Sequence, residues 1–547
     1  MIPPRVHLHP TSFVSRTPLP QRFRLAQFLF AGLCLLASIA SASPPPRKKI
    51  LGMYIHQHWA YNHPYAARTW TLSDWRGYLD GISRLGFNQV LIWPMLENMP
   101  EPLTPSDTAN LAKIAAVIDM AHRDFKMRVD IVYCPNVSAK NAEAAKYTFE
   151  ERPFFYTDDR VDPADPVAFG KMMAWREKVF RPLVAADGIF IIDSDPGGYP
   201  GSTKLDFVYI LKAHRRMLDR LRPGIEVVYW AAHGWESYGK FYSTGDVGLL
   251  GGRPEELRET IKLLAPQNIE PWGIASHKYP DLADPLGMSD RVLSLNYGAI
   301  EGEPSSPFTI YGGTKAYEGG KREAPRGAMG NSQTHCVQLP NLFAFSRGAA
   351  GLPLERKDYV AFANDLLPGH GETVVAGWEE LQGSDPALMK DAAARLVAIG
   401  GAPLKTGPLA GLLFGDPARF VDDIVRQLHF ATAMYEFRTA TLATPSDPAI
   451  VRRTFAAFIA ATERWQGKHG YRNHWRWAPM QEALRGLDSA QLNATLDTLR
   501  WVSDKGATPF DRVKNGLAEL ETYTPRLITA MKQTLTQLEK TDPQSSQ

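Results

Sequence analysis

The chain reads as an α/β protein, a (β/α)8 TIM-type barrel followed by an all-helical C-terminal domain. Three observations predict this. Strand-like and helix-like segments alternate from Ile50 to Arg347. The fourth strand candidate, Gly188-Ile189-Phe190-Ile191-Ile192-Asp193, is almost wholly apolar, as a strand buried on both faces must be. Beyond residue 354 only helical periodicity remains. Eight strand–helix repeats over about 300 residues is the size and rhythm of such a barrel.

The strands predicted in order are Ile50–His56, Gln89–Trp93, Arg128–Cys134, Gly188–Asp193, Glu226–Trp230, Val247–Leu250, Glu270–Ala275 and Val292–Tyr297. Helices are predicted over Ser73–Leu85, capped by Ser73-Asp74 and stopped by Gly86, then over Ser106–Phe125, Asp165–Arg181, Leu205–Leu221 and Pro254–Leu264. Leu339–Arg347 would close the barrel. The C-terminal domain is predicted to hold helices over Ala387–Ile399, Pro417–Thr439, Pro448–Trp465, Met480–Arg485, Ser489–Val502 and Pro509–Lys540. Pro417 and Pro448 suit a first helical turn, where a missing N–H costs nothing. An open doubly wound sheet is the alternative, but no G-x-G-x-x-G or G-K-[ST] loop follows any strand, which counts against its nucleotide-binding forms.

Composition bounds the function. With 44% hydrophobic and 22% charged residues the chain is ordinarily globular, which excludes disordered and collagen-like classes. Four of the 61 basic residues, Arg5, Arg16, Arg22 and Arg24, lie in residues 1–42, which hold no acid; the remaining 57 face 58 acidic ones. A near-neutral chain without a basic run has no electrostatic footprint for nucleic acid. Residues 1–42 read as an export signal: Arg22 and Arg24 precede the apolar stretch Phe28–Ala37, and Ala40-Ser41-Ala42 has a small-x-small cleavage form. An uncleaved anchor is the competing reading. Residues 43–49 form a linker, 50–353 the barrel, 354–540 the helical domain and 541–547 a disordered tail. The expected location is periplasmic or secreted, with no membrane contact after cleavage and no cofactor; the oligomeric state stays open. Cys134 and Cys336, too few for a disulfide framework or a Cys-rich zinc site, read as two small buried residues.

In such a barrel the active site lies at the C-terminal strand ends. Those ends carry His56, His58 and Trp59, then Trp93 and Glu97, then Asn136, then Asp193 and Asp195, then Trp230, His233 and Trp235. Later strands offer Trp272, His277, Asn296, Tyr297, Glu301 and Glu303. Rings stack on the apolar faces of sugars and carboxylates handle hydroxyls and protons, so the lining suits a carbohydrate. Asp193 and Asp195 are spaced i, i+2, so both project from one face of an extended chain. Two carboxylates that close raise one pKa toward the range of a general acid. The bland alternative is an acidic loop capping the next helix through backbone hydrogen bonds. Glu301 forms a second acidic centre: about 6.5–9.5 Å from Asp195 would permit inversion, about 5–5.5 Å retention. The segment Gly330-Asn331-Ser332-Gln333-Thr334-His335-Cys336 suits a ligand-binding loop.

A strand-four run that opens with Asp187-Gly188 and ends in paired acids, with aromatics on strands one, two, five and seven, resembles the family 18, 20, 84 and 123 hexosaminidases and chitinases. There one carboxylate orients the substrate's 2-acetamido group and a neighbour protonates the leaving oxygen. The resemblance implies Asp193 as the orienting carboxylate and Asp195 as acid/base. This chain has Asp-x-Asp where those families carry Asp-Glu, Asp-Asp or Asp-x-Glu. The run is also similar to barrel α-glucuronidases, whose carboxylates lie on different strands and which invert. A rival resemblance, His56-x-His58 with His233, is to metal-dependent amidohydrolases; those also want an Asp after strand eight, where this chain has Asn296. A barrel that binds carbohydrate without turning it over is the remaining class.

Overall fold

A computed structural model describes residues 49–58, 62–194, 197–302, 309–321, 323–469 and 478–540. Eight parallel strands close a barrel: β1 (Ile50–His56), β2 (Gln89–Trp93), β3 (Arg128–Tyr133), β4 (Gly188–Ile192), β5 (Glu226–Ala231), β6 (Trp272–Ser276), β7 (Val292–Asn296) and β8 (Gly327–Ser332). Each strand pairs with its neighbours in sequence, and β1 closes the ring on β8, Ile50 opposite Gly327 through Ile55 opposite Ser332. The predicted helices stand close to their expected places. Pro254–Leu264 coincides with its prediction, while the first helix runs Leu72–Arg84 with Thr71, not Ser73, as the cap; Thr71 and Asp74 form a capping box.

Two strands differ from expectation. Val247–Leu250 is not a strand: Val247–Gly251 winds as a 3-10 turn whose first N–H groups are capped by Asp246, with Gly245 and Gly252 at positive φ on either side. The sixth and seventh strands are instead Trp272–Ser276 and Val292–Asn296, and the eighth is Gly327–Ser332, part of which reads as loop in sequence. Its small residues carry no strand propensity, yet nothing larger fits there: a Cβ on Gly330 would lie 2.6 Å from Ile300 Cδ1, and one on Gly327 2.0 Å from Ile50 O.

The lower end of the barrel is filled by charge rather than hydrocarbon. Arg128 donates to Asp130 and, at 2.7 Å, to Glu226; Arg326 donates to the same Glu226 oxygen at 2.9 Å. Glycines make the room: a Cβ on Gly188 would sit 2.4 Å from Asp130 Oδ1, and one on Gly273 2.0 Å from an Arg326 nitrogen. This packed layer closes the barrel at the N-terminal ends of the strands.

The C-terminal region is helical throughout its described residues. Helices Arg356–Leu366 and Gly371–Glu380 precede those the periodicity predicts, and the expected Pro509–Lys540 helix is two, Pro509–Glu521 and Tyr523–Lys540, with Pro525 in the first turn of the second. The region packs directly on the barrel. Gly411 meets Gly77 of the first barrel helix so closely that a Cβ on Gly411 would lie 2.3 Å from Gly77 O. Thr309 N–H donates to Gln427 (2.6 Å) and Phe155 N–H to Glu521 (3.3 Å). Cys134 and Cys336 are buried and form no disulfide with each other.

Candidate active site

Strand register decides which side chains meet at the mouth. Pairing of β1 with β2 sets His56 beside Trp93, and pairing of β4 with β5 sets Ile192 beside Trp230. Alternation along β1 puts Tyr54 on the same face as His56. These residues, with Ala232, His233, His277, Lys278 and Tyr297, line a cavity of about 380 Å³ at the C-terminal mouth. That volume lies within the range of small-molecule sites.

The walls are rings held edge against face. Tyr54 and Trp230 meet at 5.3 Å and 89°, His56 and Trp93 at 5.0 Å and 67°, and His277 and Tyr297 at 6.2 Å and 65°. Two of the rings are fixed from behind. Trp93 Nε1–H donates to Glu97 (2.7 Å), which also accepts from Cys134 N–H (3.1 Å). Gln333 donates to the Tyr297 hydroxyl at 3.1 Å. Arg68, buried, donates to the carbonyls of Gln57, His58, Phe149 and Arg152 and so holds the chain that follows β1.

The imidazoles are neutral. Burial, aided by Arg68 and His335, lowers His56 to about 3. Burial, aided by Lys278, lowers His233 to about 4, and burial carries His277 well below its ordinary value. The His58 N–H donates to His56 Nδ1 (3.1 Å), so the neutral His56 ring carries its proton on Nε2. Ser194 Oγ lies 2.9 Å from His233 Nδ1 and fixes that ring's rotation. From about pH 8 to about pH 5 the His56 ring is expected to keep a neutral-imidazole NMR signature. An inflection near its ordinary 6.5 would contradict this.

The described carboxylates expected to do chemistry are occupied. Asp193, fully buried, takes hydrogen bonds on both oxygens: from the N–H groups of Ala232 (3.1 Å), His233 (3.0 Å) and Gly234 (3.1 Å) and from the Tyr229 hydroxyl (2.9 Å). It clamps the loop that carries His233. Burial pushes it up to about 6, against these donors, which favour the carboxylate. Glu301 does the same for the loop after β8. It accepts from Ser332 Oγ (3.1 Å), the N–H groups of Gln333 and Thr334 (both 2.7 Å) and Thr334 Oγ1 (2.6 Å). Burial raises its pKa.

Other expected residues fall elsewhere. Trp272 begins β6 and so lies at the opposite end of the barrel, under the guanidinium of Arg291 at 4.7 Å. Trp235 is buried against Phe207, Asn136 ties itself to Val161 and Gly198, and Asn296 to Ser294 and Gly319; none of the three lines the cavity. His58 stacks on His56 at 5.0 Å and 16° and packs on Phe154 and Phe155, an arrangement in which the two rings lie parallel rather than converging on one point. Among the described residues no cluster of three His, Cys, Asp or Glu side chains is arranged to hold a metal. Trp59, Asp195 and Glu303 lie outside the described residues, as do the export signal and the 541–547 tail. No described helix is long and apolar enough to cross a membrane. Sequence reasoning missed Tyr54, Ser194 and Lys278. Alternation from His56 pointed to Tyr54; no sequence signal marked the other two.

No protein family's profile matches the chain, and no curated protein sequence matches it. Among solved structures it is similar to a GH138 enzyme targeting pectin rhamnogalacturonan II, at 9% identity and a TM-score of 0.46 over 90% of this chain and 84% of that one. It is similar to a mutant of the Thermobaculum terrenum O-GlcNAc hydrolase, at 9% identity and a TM-score of 0.35 over 91% and 99%. It is similar also to PhdJ bound to a substrate intermediate, at 15% identity and a TM-score of 0.27 over 68% and 93%. At such scores these likenesses carry no inference about reaction or substrate. The closed parallel barrel agrees in architecture with the glycosidase barrels that the strand-four run resembles.

Proposed function

We propose that the protein is an exported glycoside hydrolase that cleaves oligo- or polysaccharide at the mouth of its barrel. One observation carries the reading: a cavity of about 380 Å³ at the C-terminal strand ends, walled by Tyr54, Trp93, Trp230 and Tyr297 and edged by neutral imidazoles. Flat rings pack on the apolar faces of a pyranose, and neutral imidazoles exchange hydrogen bonds with its hydroxyls without paying to desolvate a charge. Asp193 has no oxygen left to orient a 2-acetamido group, so the substrate-assisted form of the mechanism loses its support. Asp195 stays as the general acid of strand four, since Asp193 and Glu301 are engaged by the protein itself.

The test is a screen of aryl glycosides, with 2-acetamido sugars and uronic acids included, against the purified mature protein. Turnover that survives chelators and falls in Asp195→Asn is expected. Saccharide binding without turnover would make the barrel a binding protein. Turnover that needs added metal would favour the reading through His56 and His58.

A further inference from the structure

Among the described residues that line the cavity, one carries a formal charge: Lys278, two residues past the end of β6. No described carboxylate lies within ion-pair distance of it. Its ammonium donates instead to Gly251 O at 2.6 Å and reaches toward Leu250 O at 3.5 Å, carbonyls at the end of the Val247–Gly251 turn. Gly252, beside that turn, leaves the head group room: a Cβ there would stand 3.5 Å from Nζ. The ammonium has three donors and one strong bond to carbonyl, so donor capacity remains.

Among the described residues none pairs with Lys278 as a counter-ion, and burial lowers its pKa from the ordinary lysine value. His233 and His277, whose rings stand 5.6 Å apart, are both neutral. Asp193 acts on Lys278 electrostatically, but its oxygens are already filled from Tyr229 and residues 232–234. In the barrel order β6, which Lys278 follows, lies across the ring from β2, which ends in Trp93. A wall of rings and, among the described lining residues, a single ammonium with donors to spare match a sugar that carries negative charge on one substituent.

We infer that the sugar held in the cavity is anionic, its charged oxygens taken by Lys278 with His233 and His277 as neutral hydrogen-bonding neighbours. This rests on the glycosidase reading and adds the substrate class to it. A carboxylate on a uronic acid and a sulfate ester present the same chemistry to the ammonium, and the experiment separates them.

Binding of glucuronate, galacturonate, galactose 6-sulfate, glucose and galactose is measured by calorimetry at fixed ionic strength on the full mature chain. The same titrations are run on Lys278→Gln and Lys278→Arg. At least one acidic sugar is expected to bind about tenfold or more tightly than its neutral parent, as a hydrogen bond to a charged group contributes. Lys278→Gln is expected to bring that sugar down to the level of its parent, and Lys278→Arg to keep most of the preference. Preference for uronates assigns the charge to a carboxylate, preference for the sulfate to a sulfate ester. Equal binding of neutral and acidic sugars, or a preference that survives Lys278→Gln, overturns the inference and leaves the glycosidase reading standing. If no sugar binds and no glycoside is cleaved, both fall.

Discussion

Replacing Asp193 with alanine is expected to cost about 4 kcal/mol or more of folding stability. Four buried donors lose their acceptor together: the N–H groups of Ala232, His233 and Gly234 and the hydroxyl of Tyr229. Each orphaned buried donor costs about 1–3 kcal/mol, and donors that share one carboxylate do not add independently. Asp193→Asn keeps the shape but sets an NH2 group among N–H donors, so it is expected to lose roughly half as much. The loop that carries His233 would loosen in both, and all substrates would suffer alike. Denaturant unfolding with activity measured in parallel checks this. A variant that unfolds at the wild-type midpoint while losing only activity would show that Asp193 acts on substrate.

The contrasting variant is Asp195→Asn. It is expected to lower turnover by about 10²–10⁴-fold on substrates with a poor leaving group, the usual contribution of general acid catalysis. An activated aryl leaving group needs little protonation, so the loss there should be far smaller. Its unfolding midpoint is expected to match the wild type, as it should for a group that acts on substrate rather than on the fold. The pair of variants tests whether two aspartates two positions apart divide as proposed, Asp193 a clamp and Asp195 a reagent. If Asp195→Asn keeps full activity on a natural oligosaccharide while Glu301→Gln abolishes activity without unfolding, the acid does not lie on strand four.

Where the chain's own chemistry decides structure, the sequence is readable. Val90, Leu91 and Ile92 or Ile189 to Ile192 read as strands, because such runs are buried on both faces and rich in β-branched and aromatic residues. Caps and prolines place the helices for the same local reason. The eighth strand escapes this reading. Gly327-Ala-Met-Gly-Asn-Ser is extended because it pairs with β1 and β7, and its glycines stand where no Cβ fits. Val247–Leu250 escapes it in the other direction, since Asp246 and the surrounding glycines turn an apolar run into a cap.

The sequence by itself determined the barrel, its helical companion, and that aromatic rings and imidazoles gather at one rim. Trp93, Trp230, His56, His233 and Tyr297 meet there as strand order requires. Only the tertiary structure decided what each acid does and which end of the barrel a side chain occupies. Trp272 went to the far end because β6 begins with it. Asp193 became a clamp because its donors come from 36 to 41 residues away. A carboxylate's role depends on how many donors fill its oxygens, and those donors are brought to it by strand pairing across the barrel rather than by its neighbours in the chain.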